Sequence, residues 1–233
     1  MGNNRSAILL FSRLPHTEAK HKIISGNLQT DVLLWQHLYE HTLDVSNSTH
    51  LPVILSCEKD QSGNSFAEKI SNAISSAFNT GFENIIVLGG DFPNLTKNLI
   101  INVHRELSRG AKIVAGPDTR GGIYILGLNK AAFNKETFSE FKWQTRNLFS
   151  DIKRYSSLFS HVLLNSHLTD INSKTDAQLS TNYFAGNKSW KQLVMKVLGI
   201  HPSYCRSNFN AIRSYLASCN LALRAPPALP ASY

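Results

Sequence analysis

The stretch Ile85-Ile86-Val87-Leu88 is apolar without a break and runs straight into Gly89-Gly90-Asp91, and no other part of the chain constrains the fold as much. A strand with one wet face alternates apolar and polar residues. An unbroken apolar run of strand length belongs instead where both faces are covered, as in a mostly parallel sheet layered by helices. With Asn84 ahead of it this run reads as a strand over 84–88, and five further short runs, at 7–11, 51–55, 112–115, 123–128 and 161–164, also read as strands. Helix-like stretches lie between them at 29–43, 65–79, 96–108 and 147–158. In the second of these, Phe66, Ile70, Ala73, Ile74 and Ala77 recur at three- and four-residue steps and so share one side. This alternation predicts a doubly wound α/β fold with helices on both faces, and such folds hold ligands at the carboxyl ends of their strands.

The end of the chain changes character. Trp190, Leu193, Val194, Val197 and Leu198 form one apolar stripe, and Phe209, Ile212, Leu216, Cys219 and Leu223 form a second beyond Gly199-Ile200-His201-Pro202. This pattern predicts a C-terminal helical hairpin whose stripes pack on the chain itself or on a second copy, which leaves a homo-oligomer open. A chain of 233 residues suits one core. The expected organisation is an α/β domain over 1–179 and a helical extension over 180–233 packed on it.

The charge is uneven. The net +8 arises entirely beyond residue 141, where 11 basic side chains face only Asp151, Asp170 and Asp176. From 177 onward no acidic residue occurs, so this end would attract an anionic substrate, a nucleic acid or an acidic surface. Nucleic acid is the weakest of these readings, because Trp190, Tyr204, Phe209 and Tyr215 fall mostly on or near the apolar stripes and read as core. No apolar run approaches the roughly 20 residues of a membrane span. Cys57, Cys205 and Cys219 form neither a metal-ligand spacing nor an even disulfide framework, so a reducing cytoplasm is the expected location.

Two segments carry candidate chemistry. In the first, the Gly89-Gly90 pair lets the backbone approach a ligand closely while Asp91 stands at the end of a buried strand. A carboxylate there suits Mg²⁺ or Mn²⁺ held against a diphosphate, and equally suits the cap of a helix after Pro93. The second segment runs from Gly116 to Gly127 and includes Asp118, Arg120, Gly121, Gly122 and Tyr124. It is either a loop whose main chain touches a substrate or a plain hairpin connection.

Taken together, these segments resemble the GT-A-like transferase family DUF2064, a relative of nucleotidyltransferases that act on small cofactors. The family pattern F-A-R-x-P followed by K-T-R corresponds to Phe11-Ser12-Arg13-Leu14-Pro15 and Lys20-His21-Lys22. Its G-x-D-x-P-x-L appears as Gly89-Gly90-Asp91-Phe92-Pro93-Asn94-Leu95, and its glycine-rich loop as Gly116 to Gly127. Its W-x-T appears as Trp143-Gln144-Thr145, and its late D-x-D-T as Asp170-Ile171-Asn172-Ser173. The resemblance covers roughly residues 7–179 in the right order and leaves out the C-terminal hairpin.

The resemblance implies a GT-A fold in which Asp91, Asp170 and Asn172 hold a divalent cation. Arg13 and Lys20 would face phosphate oxygens beside Gly89 and Gly90. The glycine-rich loop, with Asp118, Arg120, Gly121, Gly122 and Tyr124, would meet the substrate. Cations around a diphosphate leaving group would supply the main electrostatic stabilisation. The expected function is transfer of a glycosyl or nucleotidyl group from a nucleotide sugar or nucleoside triphosphate to a small acceptor. The alternative is a degenerate member that binds a nucleotide or a partner without turnover. Two departures bear on that choice: the family aspartate of D-G-G is Arg120 here, and the second acid of D-x-D-T is Asn172.

Overall fold

In this computed structural model, which describes residues 5–183 and 188–200, six strands make one sheet. They are β1 (Ser6–Phe11), β2 (Val53–Ser56), β3 (Asn84–Leu88), β4 (Ile113–Pro117), β5 (Ile123–Asn129) and β6 (His161–Leu163), in the order β2-β1-β3-β5-β4-β6. Pairing is parallel except around β5, which runs antiparallel to both β3 and β4. The expected mostly parallel α/β sheet is therefore present, with one reversed strand inside it.

The period of two along each strand sorts the core into two layers. Ala7, Leu9, Ile85, Val87, Ala115 and Leu126 face the helices α3 (Phe66–Asn79), α5 (Lys135–Glu140) and α6 (Leu148–Ser156). Ile8, Leu10, Ile86, Leu88, Val114 and Ile125 face the other way, toward α4 (Lys97–Ser108) and the far half of α2 (Leu28–Asn47). The helices start where short polar side chains cap them. Asn27 accepts from Thr30 N–H, Ser65 from Glu68 N–H and Thr96 from Leu99 N–H.

A third, smaller core joins α1 (Pro15–His21), the near half of α2, α7 (Lys174–Ser180) and α8 (Lys188–Val197) around Trp35, Ile171, Trp190 and Val194. The first C-terminal stripe thus packs on this chain, with Trp190 0% exposed. The second stripe, from Phe209 to Leu223, lies outside the described residues. Among the described residues no helix is long and apolar enough to cross a membrane.

Candidate functional site

A cleft of about 1190 Å³ opens over the carboxyl ends of β1, β2 and β3 and over the glycine-rich loop that joins β4 to β5. Its volume lies just above the roughly 300–1,000 Å³ of small-molecule pockets, which leaves room for a ligand larger than a drug. Arg13, Gly89, Gly90, Asp91, Asp118, Arg120, Gly122, Asp170 and Asn172 all line it, so residues 159 positions apart in sequence meet here.

Loop stitching brings them together. After β6 the chain runs beside the β4–β5 loop, with Leu168 in a parallel bridge to Asp118 and its carbonyl accepting from Thr119 N–H at 2.9 Å. Ile171 N–H then donates to the Asp91 carbonyl at 3.1 Å, which delivers Asp170 to the end of β3. Asp91 caps no helix, since α4 begins at Lys97 with Thr96 as its cap. Of the two readings of Asp91 from sequence, the helix cap is excluded by this arrangement.

The carboxylates are matched by cations from the protein itself. Lys22 Nζ donates to Asp91 Oδ2 at 3.0 Å and stands 3.9 Å from Asp170 Oδ2. Arg120 donates to the carbonyl and the other carboxylate oxygen of Asp170, and to Asp176 Oδ1 at 2.7 Å. Burial alone would lower the Lys22 ammonium, but the Asp91 carboxylate, with Asp170 and Glu18 behind it, holds it above the ordinary lysine range. Burial would likewise raise the Asp176 carboxyl. Hydrogen bonds from Ser173 and Asn172 N–H, together with Arg120, outweigh that and keep it below the usual value.

A depressed carboxyl contributes stability above its unfolded value and loses it as pH falls through the folded one. Asp176 should therefore support the loop at neutral pH and release it below the ordinary aspartate value of 3.8. Asp176→Asn is expected to lower the urea midpoint at neutral pH and to flatten the acid limb. Titrating both proteins from about pH 6 to about pH 2 checks this, and parallel acid limbs would show that Asp176 contributes nothing.

Residues 27–145, just over half of the chain, match the family described as an uncharacterized protein conserved in bacteria (DUF2064). The chain belongs to that family. No match is found among curated proteins. Among solved structures, this DUF2064 chain is similar to a provisionally named nucleotide-diphospho-sugar transferase from Desulfovibrio desulfuricans G20. The TM-score is 0.66 at 17% identity, over 82% of this chain and 97% of that one. It is also similar to 4-diphosphocytidyl-2C-methyl-D-erythritol synthase from Anaerococcus prevotii, at TM-score 0.51 and 14% identity, over 79% of this chain and all (100%) of that one. Identities this low speak to the fold alone, and the fold is that of the nucleotide-diphospho-sugar transferases.

Of the residues expected at the site of this DUF2064 protein, Arg13, Asp118, Arg120, Gly122 and Tyr124 line the cleft, whereas Lys20 and Gly121 do not. Lys20 sits exposed on α1, away from the cleft, and Lys22, two residues on, is the lysine that enters it. The reason is the helix end: α1 stops at His21, and the chain turns inward at Lys22. Tyr124 is 2% exposed with its hydroxyl on Ser166 at 2.7 Å, so it supports the loop from below. Asp118 spends one carboxylate oxygen on the N–H groups of Arg120 and Gly122, at 2.6 and 2.8 Å, and so shapes the turn. Gly121 does not line the cleft. With φ at +88° it presses on the Arg146 backbone, and its carbonyl accepts from Phe149 N–H, which docks the glycine-rich loop on the Trp143–Arg146 segment. Arg13 lines the cleft with its guanidinium paired to Glu18 at 2.9 Å.

Sequence reasoning passed over Lys22, Trp35, Lys69, Arg146 and Asp176. The signal for Asp176 was present, because Ser173 and Asp176 stand at capping-box spacing and bond reciprocally at the start of α7.

The divalent cation implied by the family resemblance can be tested against these donors. Asp91 and Asp170 converge as expected, but the Lys22 ammonium bridges them and Arg120 occupies the other oxygen of Asp170. Asn172 presents its amide N–H₂ to Asp170 Oδ2 at 2.5 Å. Among the described residues no three His, Cys, Asp or Glu side chains converge in a metal-binding group. The site as arranged is compensated by its own cations and does not fit a divalent metal.

Proposed function

We propose that this chain is a transferase that binds a nucleotide or nucleotide sugar in the cleft and passes a glycosyl or nucleotidyl group to a small acceptor. The observation that carries the reading is the convergence of Gly89-Gly90-Asp91 with cationic side chains at one cleft over the strand ends of a GT-A sheet. Ligands of doubly wound sheets bind at that edge. Lys69 and Arg146 line the cleft with no ion-pair partner among the described residues, which leaves both for phosphate oxygens. Phe66 and Trp143, with ring centroids 6.0 Å apart, give one wall the apolar surface that a base or sugar face needs. Cations fixed beforehand around a diphosphate would stabilise it as it leaves without reorganising.

A second reading, binding without turnover, is favoured by Arg120. It stands where the family pattern has an aspartate and is held by Asp170 and Asp176. The two readings separate on product release.

The test is a thermal-shift screen of nucleoside triphosphates and nucleotide sugars, each with Mn²⁺ and with EDTA. A true ligand at a hundredfold excess over Kd stabilises by about 2.7 kcal/mol, or roughly 5–10 °C in a chain of this size. Lys69→Ala and Arg146→Ala should each weaken that ligand about tenfold. If no nucleotide shifts the melting temperature in either condition, the reading fails. If a ligand binds and no nucleoside phosphate or pyrophosphate is released with any acceptor, binding without turnover stands.

A further inference from the structure

The geometry points to Lys22 as a built-in counter-cation: its ammonium occupies the position between Asp91 and Asp170 that a divalent metal would take, and it replaces that metal. The inference takes the cleft as the ligand site proposed above, but its test needs no ligand, so a failed nucleotide screen and a failed metal assay remain separate results.

Lys22 is not a loosely tethered surface lysine. Its side chain is 24% exposed. Trp35 holds it twice, with indole Nε1–H donating to the Lys22 carbonyl at 3.1 Å and the ammonium 5.2 Å from the ring centroid. The chain just beyond it is clamped as well. The buried Asp31 carboxylate accepts from Ile24 N–H at 3.1 Å and Ser25 N–H at 2.7 Å, which fixes the turn that aims Lys22 into the cleft. Backbone, stem and charged head are therefore all set before any ligand arrives.

A metal cannot join this arrangement without undoing it. A divalent cation bound to Asp91 Oδ2 at about 2.1 Å would lie within roughly 5 Å of an ammonium already bonded to the same oxygen. Its second ligand, Asp170, is shared between that ammonium and Arg120. Entry between the two carboxylates would require the Lys22 ammonium to leave both of them and the Trp35 ring face. A lysine ammonium has three donors. Asp91 takes one and Asp170, at 3.9 Å, interacts through charge alone, so a donor remains for a ligand oxygen.

The experiment is an electron paramagnetic resonance titration of free Mn²⁺ against the wild-type chain, Lys22→Met and Lys22→Arg, with folding checked by circular dichroism. Wild type and Lys22→Arg should leave Mn²⁺ free up to about 1 mM, whereas Lys22→Met should bind one equivalent about tenfold or more tightly than wild type, because two carboxylates lose their shared cation. Lys22→Gln, which keeps a donor for Asp91, takes the place of Lys22→Met if the latter does not fold. Equal Mn²⁺ affinity in wild type and the neutral variant, whether tight or absent, would overturn the proposal.

Discussion

Gly121→Ala is expected to lower stability by about 2–4 kcal/mol and to abolish ligand binding in the cleft. The added Cβ would lie 2.2 Å from the Arg146 carbonyl oxygen and 3.0 Å from its carbon, at a φ of +88° that alanine adopts only under strain. Neither contact is with a flexible side-chain tip, so one backbone segment must move. The bond from Phe149 N–H to the Gly121 carbonyl would open, and the Trp143–Arg146 wall would separate from the loop that carries Arg120. Gly110→Ala is the matched control. Its φ is +106°, but nothing lies within 4 Å of the new methyl, so only the conformational cost of about 1 kcal/mol applies. Urea denaturation of both variants isolates the steric part. Equal losses would mean that the two loops are not docked as described.

Trp190→Ala should be the most destabilising truncation outside the sheet, at about 3–5 kcal/mol. Its ring is 0% exposed and stacks on His37, with centroids 4.8 Å apart and 25° between planes. Its Nε1–H donates to Ser180 Oγ at 3.2 Å. Removing it opens a cavity between α2, α7 and α8 and leaves the buried Ser180 hydroxyl with only its bond to the Ala177 carbonyl. A drop in the urea midpoint together with loss of one cooperative transition would show that α8 is part of the fold's equilibrium. A change under about 0.5 kcal/mol, the size of an ordinary surface substitution, would detach α8 from it.

The strands were legible because each is a short apolar run between turn residues, and the run at 84–88 matches β3 residue for residue. The order of the strands was not. Nothing in Ile123–Asn129 distinguishes a reversed strand from a parallel one, since a strand covered on both faces is apolar in either direction. Three short helices also escaped notice. α1 buries Ala19 alone and α5 buries Phe138 alone, too few residues to make a period, and α7 starts directly after a segment read as a metal motif, whose last residue, Ser173, caps it.

Within the site, Asp91, Asp170 and the glycine-rich loop were placed by motif order, and they do meet. What the sequence hid was the identity of the cations. Lys20 and Lys22 differ by two residues, but a helix end lies between them, and only the second points inward. Arg120 could be seen as a charge reversal, yet its partner Asp176 lies 56 residues on and joins it only because the late loop is laid beside Asp118.

The reversed strand has a further consequence, for the order in which the sheet forms. β4 and β5 are joined by five residues, 118–122, whereas β1 and β3 pair across more than seventy. The entropy lost in closing a loop grows with its length, so the β4–β5 hairpin is the sheet pairing with the lowest closure cost and a natural early nucleus. Its turn is the segment that carries Asp118, Arg120 and Gly121, and so the part of the cleft richest in loop backbone is also the part that folds most locally. Substitutions there would register in the refolding rate as well as in binding.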